Sequence, residues 1–320
     1  MHGESQKSNW YLMASASIPT LFCINASYAQ HAAVCIVSLL ENNRALFFDL
    51  VVVSTEPLGA AEEKLRRSLR AYDNFTFRVL QLDASSSGMT LPTRAHYTID
   101  NYTRIWISEF FPADVERVLY LDSDMVVVAN IAQLWNADLG DAVVGAVTIP
   151  GSTRCAPYDI PERFGYFQSG VLLVNLKRWR REGIFDVLQD WIALHGEKIV
   201  DADQDVLNAC LYDRRLRLPF VWNVITPFYF DYHPLGIPHS ELLEVRRGAC
   251  IIHFNGPSKP WHYLNRHPRR AEYWKYLHLT EWRDYAPPDK NLVNWGKRTF
   301  GSLVPKGARA FLKRVASSRR

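Results

Sequence analysis

The chain has 320 residues, of which 48% are hydrophobic and 22% charged, a globular composition that is long enough for one large or two modest domains. Its five cysteines are scattered and form no Cys-x-x-Cys pair, which argues against a zinc site or a disulfide framework and favours a reducing compartment. We expect no signal peptide, because the N-terminus lacks a continuous apolar h-region. We expect no membrane span, because no segment approaches about 18 uncharged apolar residues.

The first half of the chain alternates predicted strands with predicted helices. After a polar lead over residues 1–17, short apolar runs predict strands at Ile18–Ile24, Leu46–Val53, Phe75–Leu82, Val118–Leu121 and Ala142–Ile149. Apolar residues at helical spacing predict helices at Ala32–Leu40, Ala60–Ala71 and Tyr102–Phe110, and Ser85–Gly88 is predicted to be a loop. This alternation indicates an α/β fold in which helices cover both faces of a mainly parallel central sheet.

The second half is less regular. We predict strands at Ser169–Val174 and Cys250–Phe254 and helices at Phe185–Leu194 and Gln204–Tyr212. The last helix follows Asp201 and Asp203, and we expect one of these acids to cap its free N–H groups. The stretch Pro257–Pro268, rich in Pro, Trp and His, predicts a structured loop.

Two acids directly follow one of the apolar strands. Residues Arg117–Asp124 read Arg-Val-Leu-Tyr-Leu-Asp-Ser-Asp, and ligands of open α/β sheets bind where strands end at their carboxyl edge. Asp122 and Asp124 would offer oxygen ligands to a divalent cation there, and that cation would hold a phosphorylated substrate. An Asp-x-Asp sequence also occurs in ordinary turns, so this motif alone decides nothing.

Four further residues could contribute to such a site. His253 closes an apolar strand and could bind a Mn²⁺-like metal, while Lys259 in the following loop could neutralise phosphate. Gly170 permits the close approach of a ligand, and Arg104 could bind pyrophosphate through two hydrogen bonds. Each residue taken singly also fits a purely structural role, as a strand-end hydrogen bond, a bulge or a surface cation.

Positive charge is concentrated at the C-terminus. The net charge is +4, and from Lys297 onward there are eight Lys or Arg and no acid, which leaves 29 basic and 33 acidic residues elsewhere. Interleaved apolar residues predict a basic amphipathic segment within residues 286–320 that lies on an anionic membrane. A nucleic-acid-binding or solvated tail is the alternative, and Pro305 and Gly307 would interrupt a continuous helix. We favour the membrane and expect no nucleic-acid partner.

Together and in this order, the motifs resemble those of the family 8 retaining glycosyltransferases with the GT-A fold. The branch most similar is that of the bacterial lipopolysaccharide galactosyl- and glucosyltransferases, and glycogenin is more distant. The motifs that carry the resemblance are Val118–Asp124, Leu134-Trp135, Asp138–Asp141, Gly170–Arg180, Asp203–Asp205, His253 and Gly256–His262. The resemblance implies one GT-A domain over residues 18–285, between the polar lead and the basic segment.

The resemblance also implies a role for each candidate residue. The implied ligands of Mn²⁺ or Mg²⁺ on the donor diphosphate are Asp122, Asp124 and His253. The implied contacts to the phosphates and the donor sugar or ribose are Lys259, Gly256 and Arg104. The implied catalytic residues are Asp203 and Gln204, with Gln204 beside the anomeric carbon. The other implied nucleotide-sugar or acceptor contacts are Asn25, Tyr28, His96, Ser123 and Gln168.

The implied reaction moves a hexose, galactose or glucose, from UDP-hexose to a saccharide hydroxyl with retention of configuration, in lipopolysaccharide or a related surface glycan. Gln204 is a weak nucleophile and Asp203 is not expected to be well placed for attack. We therefore favour same-face attack, in which a leaving-phosphate oxygen takes the acceptor proton. The basic segment corresponds to the family's membrane-attachment segment, which implies a cytoplasmic protein peripheral to the inner face of the cytoplasmic membrane.

Three positions depart from the family pattern. Asn25 stands where the family usually has an acid that contacts uracil, and Gln168 stands where Asn is common near the sugar hydroxyls. Ile149 and Pro150 replace an acid that galactosyl enzymes carry, and an apolar side chain cannot bind sugar hydroxyls. The identity of the donor sugar is therefore open.

Two other classes of protein remain as alternatives. Leu121–Val126 also fits the nucleophile motif of haloacid-dehalogenase-like phosphatases, with Asp122 as nucleophile. That motif normally opens its domain, however, whereas several predicted α/β units precede it here. The second alternative is a non-catalytic sugar-nucleotide binder or inactive paralogue, to which the three departures give some support.

Overall fold

A computed structural model describes residues 17–83, 99–230 and 235–300. These ranges contain all the predicted strands and helices. Residues 1–16 of the polar lead, the predicted loop Ser85–Gly88, the candidate residue His96 and residues 301–320 of the basic segment lie outside the described residues.

The central sheet has seven strands in the order β3-β2-β1-β4-β7-β6-β8. Their bounds are β1 Ser17–Cys23, β2 Phe47–Ser54, β3 Phe75–Gln81, β4 Arg117–Leu121, β6 Val144–Thr148, β7 Phe167–Asn175 and β8 Arg215–Leu218. Strands β3, β2, β1 and β4 are mutually parallel, as are β6 and β8, whereas β7 runs antiparallel to both β4 and β6. The expectation of a mainly parallel sheet is confirmed, with β7 as the exception.

Helices cover both faces of this sheet. The α-helices are α1 Ala29–Glu41, α2 Ala60–Ser68, α3 Ala132–Trp135, α4 Leu176–Arg181, α5 Ile184–His195, α6 Asp203–Leu211, α7 His239–Arg247, α8 Arg270–Leu277 and α9 Leu292–Phe300. A 3₁₀ helix, Ile99–Phe110, occupies the place of the α-helix expected there. Successive side chains of a strand point to opposite faces, so Val52 of β2 packs with α1, whereas Val51 and Val53 pack with the 3₁₀ helix, α5 and α6.

Across residues 17–83, 99–230 and 235–300, each helix is too short or too polar to cross a bilayer.

A second, three-stranded sheet lies beside the end of β4. It consists of β5 Met125–Val127, β9 Val224–Ile225 and β10 Ile251–His253, with β10 in the middle, antiparallel to β5 and parallel to β9. Helix α1 fixes β5, because Ser38 Oγ accepts from the Val127 N–H at 2.9 Å and Asn42 Nδ2 donates to the Val127 carbonyl at 3.0 Å. The acidic segment after β4 is therefore held between two sheets.

The N-terminus of α6 is organised differently from the sequence prediction. The expected cap by Asp201 or Asp203 is wrong, because the N-cap residue is Ala202, at φ 48°, and it makes no side-chain cap hydrogen bond. Asp205, inside the helix, accepts hydrogen bonds from the N–H groups of Val200 and Asp201 at 2.7 and 2.6 Å. Its carboxylate therefore closes the loop that precedes the helix.

The carboxylate of Asp205 also joins three segments of the chain. It is fully buried and accepts from Arg154 Nη2 at 2.8 and 2.9 Å and from the Tyr166 hydroxyl at 2.5 Å. Burial by itself would raise the pKa of Asp205. Hydrogen bonds from the Asp201 amide, from the hydroxyls of Tyr158 and Tyr166 and from Arg154 more than offset this effect, so the pKa lies below its usual value. The ionised carboxylate is thus a structural anchor for α6.

Replacing Asp205 by Asn should lower the free energy of unfolding by about 2–4 kcal/mol at neutral pH, because buried donors would then face a neutral amide. The depressed native pKa means that this stability is present above the pKa of the unfolded carboxyl, about 3.9, and is lost as pH falls through the lower native value. The difference between wild type and Asp205→Asn should therefore shrink on acidification. Urea unfolding at a series of pH values measures it.

Asp213→Asn is the matched control, since Asp213 is an exposed acid just beyond the same helix. Its effect should stay within about 0.5 kcal/mol at every pH. A destabilisation by Asp205→Asn that did not vary with pH would contradict the role assigned to the charge.

Candidate active site

Two carboxylates and an imidazole meet where the two sheets adjoin. Asp122 follows β4, Asp124 precedes β5, and the antiparallel pairing of β10 with β5 sets His253 opposite Met125. His253 Nε2 lies 3.1 Å from Asp124 Oδ1 and 3.8 Å from Asp122 Oδ2. One side-chain N or O atom from each of the three residues lies within 4.8 Å of the others, so the three residues could hold a metal ion.

Asn223 orients the imidazole of His253 through the ring nitrogen that does not face the carboxylates. The Oδ1 atom of Asn223 lies 3.0 Å from His253 Nδ1, and because an amide oxygen only accepts, Nδ1 carries the proton. The lone pair of Nε2 is then directed to the two carboxylates, as a metal ligand requires. Asn223 Nδ2 in turn donates to Gln168 Oε1 at 2.9 Å.

The residues present fit a divalent cation. Two carboxylates and an imidazole suit Mn²⁺, and the oxygen ligands also suit Mg²⁺. Gly170 supports this, because a Cβ at that position would lie 2.6 Å from Asp122 Oδ2 and 2.7 Å from His253 Cε1. The side chains of Asp122 and His253 therefore pack directly on a backbone position that has no side chain.

Each carboxylate of the pair contacts a cation. Lys259 Nζ lies 2.5 Å from Asp124 Oδ2 and also donates to the Phe254 carbonyl at 3.0 Å. Burial would raise the pKa of Asp124, but the ammonium group of Lys259 holds it well below its usual range. Asp122 Oδ1 accepts from the Tyr120 hydroxyl at 2.7 Å and lies 3.1 Å from Arg104 Nη2.

Arg104 connects the acid pair to helix α6. Its Nε lies 2.6 Å from Asp203 Oδ2, and its Nη1 donates to the Ser169 carbonyl at 2.7 Å. Burial and the charge of Asp122 raise the pKa of Asp203 to about 7, because they outweigh the opposing effect of Arg104. The guanidinium thus lies between two carboxylates that would otherwise repel each other.

Gln204 is held at both ends of its amide. Its Oε1 accepts from the Ser169 N–H at 3.2 Å, and its Nε2 lies 3.5 Å from the Tyr166 hydroxyl. The same Tyr166 donates to Asp205, so the anchor of α6 also positions the glutamine.

A cavity of about 1000 Å³ lies in front of this group. The predicted site residues that line it are Asn25, Tyr28, Arg104, Asp122, Ser123, Asp124, Gly256 and Lys259. His253, Gln168, Asp203 and Gln204 lie next to these residues through the contacts described above. His96 is outside the described residues and stays a prediction.

One wall of the cavity is aromatic. Its Tyr28 side chain is 37% exposed. Three residues earlier, Asn25 Oδ1 accepts hydrogen bonds from the Tyr28 N–H at 3.2 Å and from the Ser27 hydroxyl at 2.7 Å. Behind Tyr28, His31 stacks on Trp261 with ring centroids 3.4 Å apart. The Nδ1 atom of His31 lies 2.7 Å from the hydroxyl of Tyr273, and burial lowers the pKa of His31 to about 3.

Sequence reasoning missed four residues that shape the site: Asn223, His31, Trp261 and Arg154. His31 lies on an apolar helix and Asn223 in an irregular stretch, so neither carried a signal. Trp261 did carry a signal, because it lies within the predicted structured loop and within the motif Gly256–His262.

Comparisons with known proteins agree with this geometry. Residues 19–265 match the family model described as "Glycosyl transferase family 8". General stress protein A of Bacillus subtilis is 28% identical over 276 residues, covering 84% of this chain and 96% of that protein. A lipopolysaccharide 1,2-glucosyltransferase of Escherichia coli is 26% identical over 300 residues, covering 90% of this chain and 88% of that protein.

The fold is also shared with a solved structure. The galactosyltransferase LgtC, in complex with donor and acceptor sugar analogs, has a TM-score of 0.70 at 24% identity, and the match covers 85% of this chain and 98% of that one. The family model spans the strands that carry the acidic pair and His253, and the structural match covers most of the chain. This chain belongs to glycosyl transferase family 8 and has the GT-A fold of its structurally characterised members.

Proposed function

We propose that this enzyme transfers a hexose, glucose or galactose, from UDP-hexose to a saccharide acceptor with retention of configuration, and that Asp122, Asp124 and His253 bind Mn²⁺ or Mg²⁺. The observation that carries the proposal is the convergence of these three ligands beside a cavity lined by Lys259 and Arg104. The family assignment and the similarity to a glucosyltransferase support a hexosyl donor.

The diphosphate of the donor is a poor leaving group unless its charge is neutralised. When bound, the metal would supply positive charge and Lewis acidity to that diphosphate. Lys259, which contacts Asp124 at the cavity wall, is our candidate for the second positive charge on the phosphates. Gly256, at φ 89°, takes a conformation that favours glycine and leaves room for the phosphates to approach the backbone.

We infer that the nucleobase is bound mainly by the ring of Tyr28. The Oδ1 atom of Asn25 already accepts two local hydrogen bonds, so an additional bond to uracil would compete with them. Asn25 would then contribute by holding the turn that presents the half-exposed Tyr28 ring for stacking.

We propose same-face attack for the retaining step. The Gln204 carbonyl oxygen accepts from a backbone N–H and Asp203 is paired with Arg104, so neither is disposed to form a bond with the anomeric carbon. A leaving-phosphate oxygen would take the acceptor proton. In this scheme Gln204 and Asp203 orient the sugar, and Gln168 holds Asn223 and thereby His253.

We further propose that the protein works at the inner face of the cytoplasmic membrane on a lipopolysaccharide or related surface-glycan acceptor. Helix α9 exposes Leu292, Val293 and Trp295 at 86%, 66% and 49%, next to the basic residues Lys297 and Arg298. Exposed apolar side chains beside cations are typical of helices that lie on anionic lipid. The phosphatase alternative is set aside, because the family model spans the acidic motif and His253.

Asp124→Asn should reduce hexosyl transfer at least about 100-fold, because it removes a metal ligand and the partner of Lys259. The measurement is UDP release and product formation from a panel of UDP-sugars with soluble saccharide acceptors, in Mn²⁺ or in EDTA. Asp114→Asn, at an exposed acid remote from the ligands, is the control and should leave the rate unchanged. Wild-type turnover that survives EDTA would exclude the metal assignment, and nucleotide binding without any product would favour a non-catalytic binder.

Gly170→Ala should raise the Mn²⁺ concentration needed for half-maximal activity by about tenfold or more, because its methyl group would displace Asp122 and His253. A titration of activity against Mn²⁺ measures this shift. Gly296→Ala is the matched control, since a Cβ there meets nothing within 4 Å and its titration should not move. An unchanged Mn²⁺ dependence in a folded Gly170→Ala protein would argue against this arrangement of ligands.

The double variant Leu292→Ser/Val293→Ser should lower partition of the protein onto phospholipid vesicles by about tenfold, because the apolar area that enters the bilayer is lost. Cosedimentation with vesicles measures the partition. Val187→Ser/Leu194→Ser removes two exposed apolar side chains from α5 and should have no effect. Equal partition of the two double variants would contradict a membrane role for α9.

A further inference from the structure

A second concave surface, the basic groove, lies outside the catalytic cavity and shares no lining residue with it. It has a volume of about 740 Å³ and is formed by the segment 264–278 together with Arg298 of α9. Its cations are Arg266, Arg270, Lys275 and Arg298, and Trp274 forms part of its wall. No carboxylate lines it among the described residues.

Three of the four cations of the basic groove contact neutral groups of the described residues. Arg270 donates to the carbonyls of Pro260 and His262 at 2.8 and 3.4 Å. Arg298 donates to the Tyr263 carbonyl at 2.7 Å, and Lys275 contacts the Tyr276 ring. Within the described residues, none of the four cations forms an ion pair with a carboxylate.

These positive charges also act on one another. Burial and the neighbouring charge of Arg298 lower the pKa of Arg270, and the opposing effect of Asp289 is smaller. Asp289 itself accepts from the Tyr263 N–H at 2.8 and 3.0 Å. Like charges in a partly enclosed groove repel one another and raise the free energy of the unliganded protein. A bound anion relieves that repulsion.

The position of the groove indicates which anion it takes. Arg298 belongs to α9, the same helix that exposes Leu292 and Val293 to solvent. A helix whose apolar residues enter the acyl boundary brings adjacent Arg and Lys to the level of the lipid phosphates. Polynucleotide binding would instead call for cations spread over several phosphates, whereas these four converge on one groove.

We propose that the basic groove binds the phosphate of an anionic lipid headgroup, with Arg266, Arg270, Lys275 and Arg298 as its donors. Guanidinium groups bind phosphate oxygens through paired hydrogen bonds, and the volume admits a phosphodiester with its alcohol. The inference rests on the proposed membrane contact of α9 and adds to it a headgroup specificity that an apolar helix alone would not give.

The test variant is Arg266→Glu/Lys275→Glu, because both residues are exposed and neither anchors the Pro260–His262 backbone. The matched control is Arg70→Glu/Arg247→Glu, which makes the same change in net charge at exposed positions outside the groove. Full-length proteins are tested by cosedimentation with vesicles of phosphatidylcholine alone or with added phosphatidylglycerol. A second measurement records thermal stability in inorganic phosphate.

We expect phosphatidylglycerol to increase binding of the wild type and of the control, and the test variant to lose about tenfold or more of that increase. Equal binding of both variants to phosphatidylglycerol vesicles overturns the proposal. Groove-dependent stabilisation by inorganic phosphate, without groove-dependent vesicle binding, overturns the lipid assignment in favour of a free anion.

Two readouts separate this proposal from the proposed function. UDP release from a UDP-sugar with a soluble acceptor should be unchanged in Arg266→Glu/Lys275→Glu, because neither residue lines the catalytic cavity. Leu292→Ser/Val293→Ser should lose binding to both kinds of vesicle, whereas the groove variant should lose only the response to phosphatidylglycerol. If the groove variant instead lost binding to both kinds of vesicle equally, that result would contradict headgroup recognition.

Discussion

The site depends on the antiparallel pairing of β10 with β5. That pairing aligns Ile251–His253 with Met125–Val127 and is continued by the hydrogen bond from the Phe254 N–H to the Asp124 carbonyl at 3.0 Å. It places the imidazole of His253 on the acidic pair, and β5 is itself fixed to α1 through Ser38. A slip of one residue in this register would turn His253 to the opposite face of the small sheet and separate the three candidate metal ligands.

The density of buried charge is the second constraint. Three carboxylates, Asp122, Asp124 and Asp203, lie close together, and each is in contact with Arg104 or Lys259. Removing one partner of such a group leaves an uncompensated buried charge, which costs far more than the pair contributes. The cations therefore serve the fold as well as the proposed chemistry.

One loop joins the catalytic cavity to the basic groove. Lys259 and Trp261 line the cavity, while the carbonyls of Pro260 and His262 in the same segment accept hydrogen bonds from Arg270 in the groove. The stack of Trp261 on His31 holds the segment against α1. The wall of the catalytic cavity and the surface that faces the proposed membrane are thus two sides of a single packed segment.

The sequence by itself determined that strands and helices alternate over the first half of the chain, and its resemblance to a known family indicated most of the candidate residues that line the cavity. Apolar periodicity is local, so β1 to β4 and α1 could be predicted, and residues such as Asp122 and Lys259 stand in recognisable motifs. The tertiary structure decided the rest. Strands β5 and β9 have three and two residues, too few for a periodic signal, and their pairing with β10 depends on contacts between distant segments. For the same reason the Asn223–His253 contact and the closure of α6 by Asp205 could not be predicted, because a hydrogen bond between remote residues leaves no pattern along the chain.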